Sequence, residues 1–300
     1  MKMKKLLSVL TAALVFSMLF TGCGDKNKKP DNNSKAFQTD KDITAVVREE
    51  GSGTRNIFAQ LFHLVREGAE DLADLTFEGA KIKERSGDVR AAVADDPYAI
   101  GYLSFSLLDK SVKALRIDGV EASIGNVKNG SYPYSHRLTA VTPENPEDGA
   151  EDFLRFLRSS EGQKIVEEHG YISQSNTGAF QGKKPTGTLK ISCADSAEKL
   201  MEKLAEGYGR VNDQLKIEIT RKNADAALKD AAEKNSLSVL TRPLREKEKS
   251  VRDTRLAETV FAEDGIAVVV NPVNTAEDLS VEQVQKIYKG EIKKWSEVIR

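Results

Sequence analysis

From Ile43 onward the sequence alternates short apolar runs with amphipathic stretches, and this alternation restricts the fold more than any other feature of the chain. The runs "ITAVV" (43–47), "AIGYLSF" (99–105), "TLKIS" (188–192), "LKIEI" (215–219), "SLSVL" (236–240) and "GIAVVV" (265–270) have strand length and strand composition. Between them, apolar residues at helical spacing mark 55–66, 151–168, 197–208 and 281–289. Strands that alternate with helices are joined by crossovers, so the pattern predicts an α/β fold with largely parallel sheets. The stretch "SQSNTGAFQGKKPTG" (173–187) is rich in Gly, Ser and Asn, lacks apolar periodicity and is expected to be an internal linker.

Ahead of this body, Lys2, Lys4 and Lys5 precede an apolar run from Leu6 to Phe20 that ends in "FTGC" at Cys23. That is the layout of a signal peptide over residues 1–22. The run is shorter than the roughly 20 residues a membrane span needs. A small-residue pair before a cysteine resembles the lipobox of bacterial lipoproteins, although Phe20 replaces the usual leucine-like residue. The resemblance implies that Cys23 carries lipid and becomes the mature N-terminus. Residues 23–42 are polar and broken by Pro30, the composition of a flexible tether. The expected location is the extracytoplasmic face of the cell membrane, held there by the lipid.

Lys and Arg number 45 against 46 Asp and Glu, and the formal charge of −1 falls to −4 once the three lysines of residues 1–22 are gone. Such a chain has no broad field for nucleic acid, and a receptor for anions would need a few aimed arginines and backbone amides. With Cys23 lipidated, Cys193 has no partner and no disulfide framework exists. His63, His136 and His169 are far apart, lack ligand spacing and are read as surface or helix-face residues. No metal and no cofactor is expected.

In "VVREEGSGTRNIF" a strand runs into a glycine-spaced turn and then an amphipathic helix. Gly51 and Gly53 allow backbone amides to point at a ligand, Ser52 and Thr54 supply hydroxyls and a helix cap, and the helix N-terminus adds positive potential. This is anion-binding machinery, and it matches neither the Walker loop nor G-x-S-x-G. Ser52 has no histidine nearby in sequence to act as a base, so no enzyme is predicted.

"VVREEGSGTR" also resembles the signature segment of phosphate-binding proteins of ABC importers, which have the two-lobed periplasmic binding protein fold. "AVADDPYAIGYLSFSLLDKSVKALRIDGVEAS", "NVKNGSYPYSHRL" and "FLRFLRSSEGQKIVEEHGYI" resemble the later parts of that family in its order. "GTLKISCADSAEKLMEKLAEGY" resembles its opening, and "AEDGIAVVVNPVNTAEDLSVEQVQKIYKGEIKKWSEVIR" the stretch before the signature. The two parts come in reversed order, which reads most simply as a circular permutation, against a truncated tandem pair or a faulty gene model. The permutation implies that Arg300 lies near Ile43, with 173–187 joining what are elsewhere the termini. One lobe would combine 43–116 with 264–300 and the other would be 117–263. The cleft would lie between them, with hinges near Arg116–Asp118 and Ala262–Gly265.

Carried over residue by residue, the resemblance implies that Arg48 pairs with the anion, Ser52 and Thr54 donate hydroxyls, Gly53 donates its amide, and Glu50 steers the arginine. The other half departs. Cys193, Ala194, Asp195 and Ser196 stand where glycine and donor side chains are expected, and only Ser196 keeps its type. "TRKNADA" (220–226) replaces a donor loop, Ser236 stands about where an aspartate would meet a protonated oxygen, and Arg242 survives as a rim ion pair. A carboxylate such as Asp195 about 4 Å from a bound anion would cost on the order of 4 kcal/mol at an effective dielectric near 20. The expected function is an extracytoplasmic, monomeric solute-binding lipoprotein that takes phosphate or another oxyanion and serves an ABC importer permease. The alternative is a degenerate lipoprotein that no longer binds phosphate and acts as a scaffold or sensor partner.

Overall fold

The structure, a computed structural model, describes residues 36–66 and 73–299. The expected leader, Cys23, most of the tether and Arg300 lie outside the described residues.

Thr44–Arg48 (β1) is buried on both faces after its first residue, as a strand inside a parallel sheet should be. It pairs in parallel with Lys81–Lys83 (β2) and Ala99–Ser104 (β3). Ser135–Pro143 (β4) follows, then Gly187–Cys193 (β5), Leu215–Arg221 (β6), Ser236–Leu240 (β7) and the 17-residue Thr254–Val270 (β8). The strands lie in the order β2-β1-β3-β8-β4-β7-β5-β6. The two flanks are parallel, whereas β8 and β4 in the middle run antiparallel to their neighbours. Helices Gly53–Leu61 (α1), Ser86–Asp95 (α2), Asp148–Arg158 (α3), Ser160–Glu168 (α4), Asp195–Gly209 (α5), Ala224–Ala231 (α6) and Val281–Tyr288 (α7) accompany the strands. The single helical stretch expected at 151–168 is two helices. Ser159 breaks it by accepting from the Gly162 amide at 3.2 Å while its own hydroxyl donates to Phe156 O, so it caps the second helix.

β8 changes partners along its length. Leu256–Gly265 pairs with β4 and Ile266–Val270 with β3. Each part serves a different core. Val46, Phe58, Tyr102, Val268, Tyr288 and Trp295 belong to the first, and Phe153, Phe156, Ile191, Leu200, Tyr208 and Phe261 to the second. At about 1.5–3 kcal/mol for each large apolar side chain buried, each core can hold a lobe together. Ile117, Val127 and Tyr132 pack in the first core. One crossing between the cores therefore lies where Ser135 pairs with Gly265, rather than at Arg116–Asp118.

The segment that begins the body docks on the segment that ends it. Ile43 N donates to Lys293 O at 2.7 Å, Trp295 N to Lys41 O at 3.2 Å and Ser296 N to Thr39 O at 2.6 Å. Phe37 packs on Tyr98 and Trp295. Residues 37–42, expected to be tether, thus belong to the folded body, because apolar Phe37 finds an aromatic seat there. The linker 173–187 has no helix or strand between Ser173 and Gly187 but is anchored. Lys183 N donates to buried Asp152 at 2.7 Å, Asn212 donates to Pro185 O at 2.9 Å, and the Phe180 ring meets Phe156 and Tyr208 edge to face.

Candidate functional site

Arg48 is the last residue of β1, and its backbone is fixed from two sides. Its N–H donates to the Tyr102 hydroxyl at 3.0 Å, and its carbonyl accepts from Arg55 Nη1 at 2.9 Å. Tyr102 is held in turn by Phe58, which stacks on it with ring centroids 4.0 Å apart. Burial pushes the Tyr102 phenol pKa up, so it stays neutral. Arg55 is clamped by Asp74, whose burial is outweighed by hydrogen bonds from Thr76 and Arg55 that keep its carboxyl below the usual range.

After Arg48 the chain turns at Gly51, whose φ of +83° suits glycine. Ser52 then caps α1, accepting from the Arg55 amide with its side chain and from the Asn56 amide with its carbonyl. The N–H groups of Gly53 and Thr54 are left without intrahelical partners, and both residues line the cleft. Ser52 and Thr54 are buried, as donors to an enclosed ligand would be.

This cleft has a volume of about 450 Å³ and takes walls from both halves of the molecule: Arg48, Ser52, Gly53 and Thr54 on one side, Ala194, Asp195, Ser196, Arg221 and Thr241 on the other. Two of these lining residues approach closely, since a methyl group on Gly53 would come within 3.0 Å of Thr241 Oγ1. Arg48, Arg221 and Thr241 all stand at or just past the C-terminal ends of parallel strands, the position where open α/β sheets hold ligands.

The Arg48 side chain is 2% exposed and well satisfied. Nε and Nη2 meet Glu49 at 2.9 and 3.0 Å, Nη1 donates to Ser86 Oγ, and Nη2 donates to Glu84 O at 3.1 Å. Asp195 Oδ2 lies 3.2 Å from Nη1. The glutamate paired with the Arg48 guanidinium is thus Glu49. Glu50 is exposed and does not line the cleft, because the turn at Gly51 carries it outward. Asp195 faces the cleft but spends its charge on arginines, pairing with Arg221 Nη1 at 3.0 Å as well, which raises the Arg221 pKa.

Ser196 lines the cleft, and its carbonyl accepts from Tyr171 Oη. Ser236 donates to the carbonyls of Asp230 and Glu233 and does not reach the cleft. Arg242 makes a two-pronged pair with Glu248 at 2.6 and 2.8 Å. Lys222 is held by Asp230 at 2.6 Å; burial opposes ionisation of Asp230, but Lys222 and Ser192 keep its carboxyl below the usual range.

Burial pushes the Cys193 thiol up to about 12, so it is an inert core residue. His136 is not a surface residue; it is half-buried, and its imidazole sits 3.7 Å from the buried Asp264, near the crossing of β4 and β8. Among the described residues no three His, Cys, Asp or Glu side chains gather as a metal site would require.

Sequence reasoning missed Glu49, Ser86 and Thr241. The signal that finds Thr241 is its place immediately after the apolar run "SLSVL".

Two α/β cores crossed by paired strands, with a buried arginine and helix N-termini lining the cleft from both halves, define a two-lobed solute-binding architecture. The chain belongs to the PBP superfamily, whose domain model matches residues 27–161 and 178–299. It is similar to Phosphate-binding protein PstS 2 of Streptococcus agalactiae serotype V, with 35% identity over 301 residues covering 99% of each chain. The crystal structure of a phosphate ABC transporter, phosphate-binding protein from Streptococcus pneumoniae TIGR4 superposes with a TM-score of 0.75 at 33% identity, covering 86% of this chain and 100% of that one. Phosphate-binding protein PstS of Bacillus subtilis matches at 39% over 135 residues, 44% of this chain and 42% of that protein.

Proposed function

We propose that the protein is the substrate-binding component of an ABC importer, taking phosphate or a related oxyanion into the interlobe cleft and presenting it to a membrane permease. The observation that carries this reading is the buried Arg48, fixed beside the free N–H groups of α1 in a chain that matches proteins named for phosphate binding from end to end. Among the described residues no histidine lines this cleft, and Ser52 caps α1. Calorimetric titration with phosphate, arsenate and sulfate should give saturable heat with phosphate; silence with all three would refute the reading. The one observation favouring the alternative, a lipoprotein that no longer takes phosphate, is the carboxylate of Asp195 on Arg48.

The reversed order is best read as a circular permutation. The docking of 37–43 on 293–296 supports it, since those segments would be continuous in the unpermuted arrangement. The match of less than half of the Bacillus subtilis protein agrees with it, and the end-to-end match to the Streptococcus agalactiae protein speaks against a faulty gene model.

Anchoring at the extracytoplasmic membrane face is assigned to Cys23, on the basic start, the apolar run and "FTGC". One acyl chain binds marginally, whereas several on one cysteine hold firmly. Cys23→Ala should shift the protein from the membrane fraction to the soluble one; an unchanged need for detergent would overturn the assignment.

A further inference from the structure

Across the cleft, one carboxylate joins two guanidinium groups. Asp195 Oδ2 is 3.2 Å from Arg48 Nη1, on the first core's side, and Oδ1 is 3.0 Å from Arg221 Nη1, on its own. Two oxygens bridging two arginines reproduce what two oxygens of a bound oxyanion would do. Asp195 is also the first residue of α5, whose N-cap Ala194 offers no side-chain acceptor, so the helix N-terminus favours negative charge at that point. Adjoining the cleft is a second cavity of about 350 Å³, lined in part by Arg85, Ser86 and Lys199; Asp195 and Ser196 stand on the walls of both.

We infer that Asp195 is an internal competitor that holds the oxyanion's seat on Arg48 and Arg221 and draws the lobes together when no ligand is bound. The competition rests on the oxyanion reading of the cleft; the closure does not. A ligand shifts a hinge only by the difference between the contacts it makes in the two states. Here the closed state already has an anion on Arg48, so an incoming oxyanion gains only the excess of its contacts over those of Asp195. Affinity is thereby tuned by a residue the ligand must displace.

The test uses the full chain and the near-isosteric Asp195→Asn, with Asp195→Ala as a second variant should the first fail to fold. Phosphate affinity is read by calorimetry, and ligand-free closure by amide hydrogen exchange of residues 49–56 and 194–200. Loss of a charge-assisted competitor should tighten phosphate binding about tenfold or more, and exchange of both segments should accelerate without ligand. Unchanged affinity in variants that bind phosphate overturns the competition and leaves the oxyanion reading standing. Faster exchange without phosphate binding in any form sinks the oxyanion reading and keeps the closure. Unchanged exchange overturns the closure.

Discussion

Arg48→Ala is expected to abolish oxyanion binding and to lower the stability of the fold by about 3 kcal/mol, the low end of the cost of breaking a buried ion pair. The side chain is 2% exposed and carries contacts to Glu49, Ser86, Glu84 O and Asp195. Its removal takes the guanidinium away from both Glu49 and Asp195, although Asp195 keeps its pair with Arg221. The low end applies because Glu49 is 37% exposed and recovers hydration. Arg48→Lys keeps the charge but loses the planar fork, so it should retain part of the stability and little of the binding. Calorimetry and thermal melting check both, and an alanine variant that binds phosphate as the parent does would remove Arg48 from the site.

The second large effect is expected at the crossing between the lobes. A methyl group on Gly265 would fall 2.4–2.6 Å from three atoms of the Phe105 ring, which packs in the first core. A ring wedged there cannot yield as the end of a flexible chain would. Gly265→Ala should therefore cost about 2–3 kcal/mol as overpacking, a fall in melting temperature of about 5–10 °C. Adding Phe105→Leu should restore part of the loss, giving a clear coupling in the double-mutant cycle. Additive effects would show that the strain lies elsewhere.

What the sequence revealed and what it hid follow from the range of the forces involved. The strand runs and the anion turn are local signals, and β1 and the cap at Ser52 formed where periodicity and capping chemistry put them, whereas α1 stops at Leu61, short of the stretch to 66 that the apolar spacing suggested. The break at Ser159 was hidden because the apolar spacing continues across it. The assignment of Arg48 to Glu49 rather than Glu50 depends on the direction the chain takes at Gly51. The pairing of Asp195 with Arg48 joins positions 147 residues apart on different cores, and no local pattern encodes it. The sequence raised Asp195 as a source of repulsion without showing whether it points into the cleft; the fold sets it between two arginines.

Crystals grown with saturating phosphate test the central claim most directly. The account predicts an anion within hydrogen-bonding distance of the Arg48 guanidinium and the N–H groups of Gly53 and Thr54, with Asp195 displaced from Arg48. Asp195 still seated on Arg48, with phosphate absent from the cleft or bound elsewhere, would contradict it.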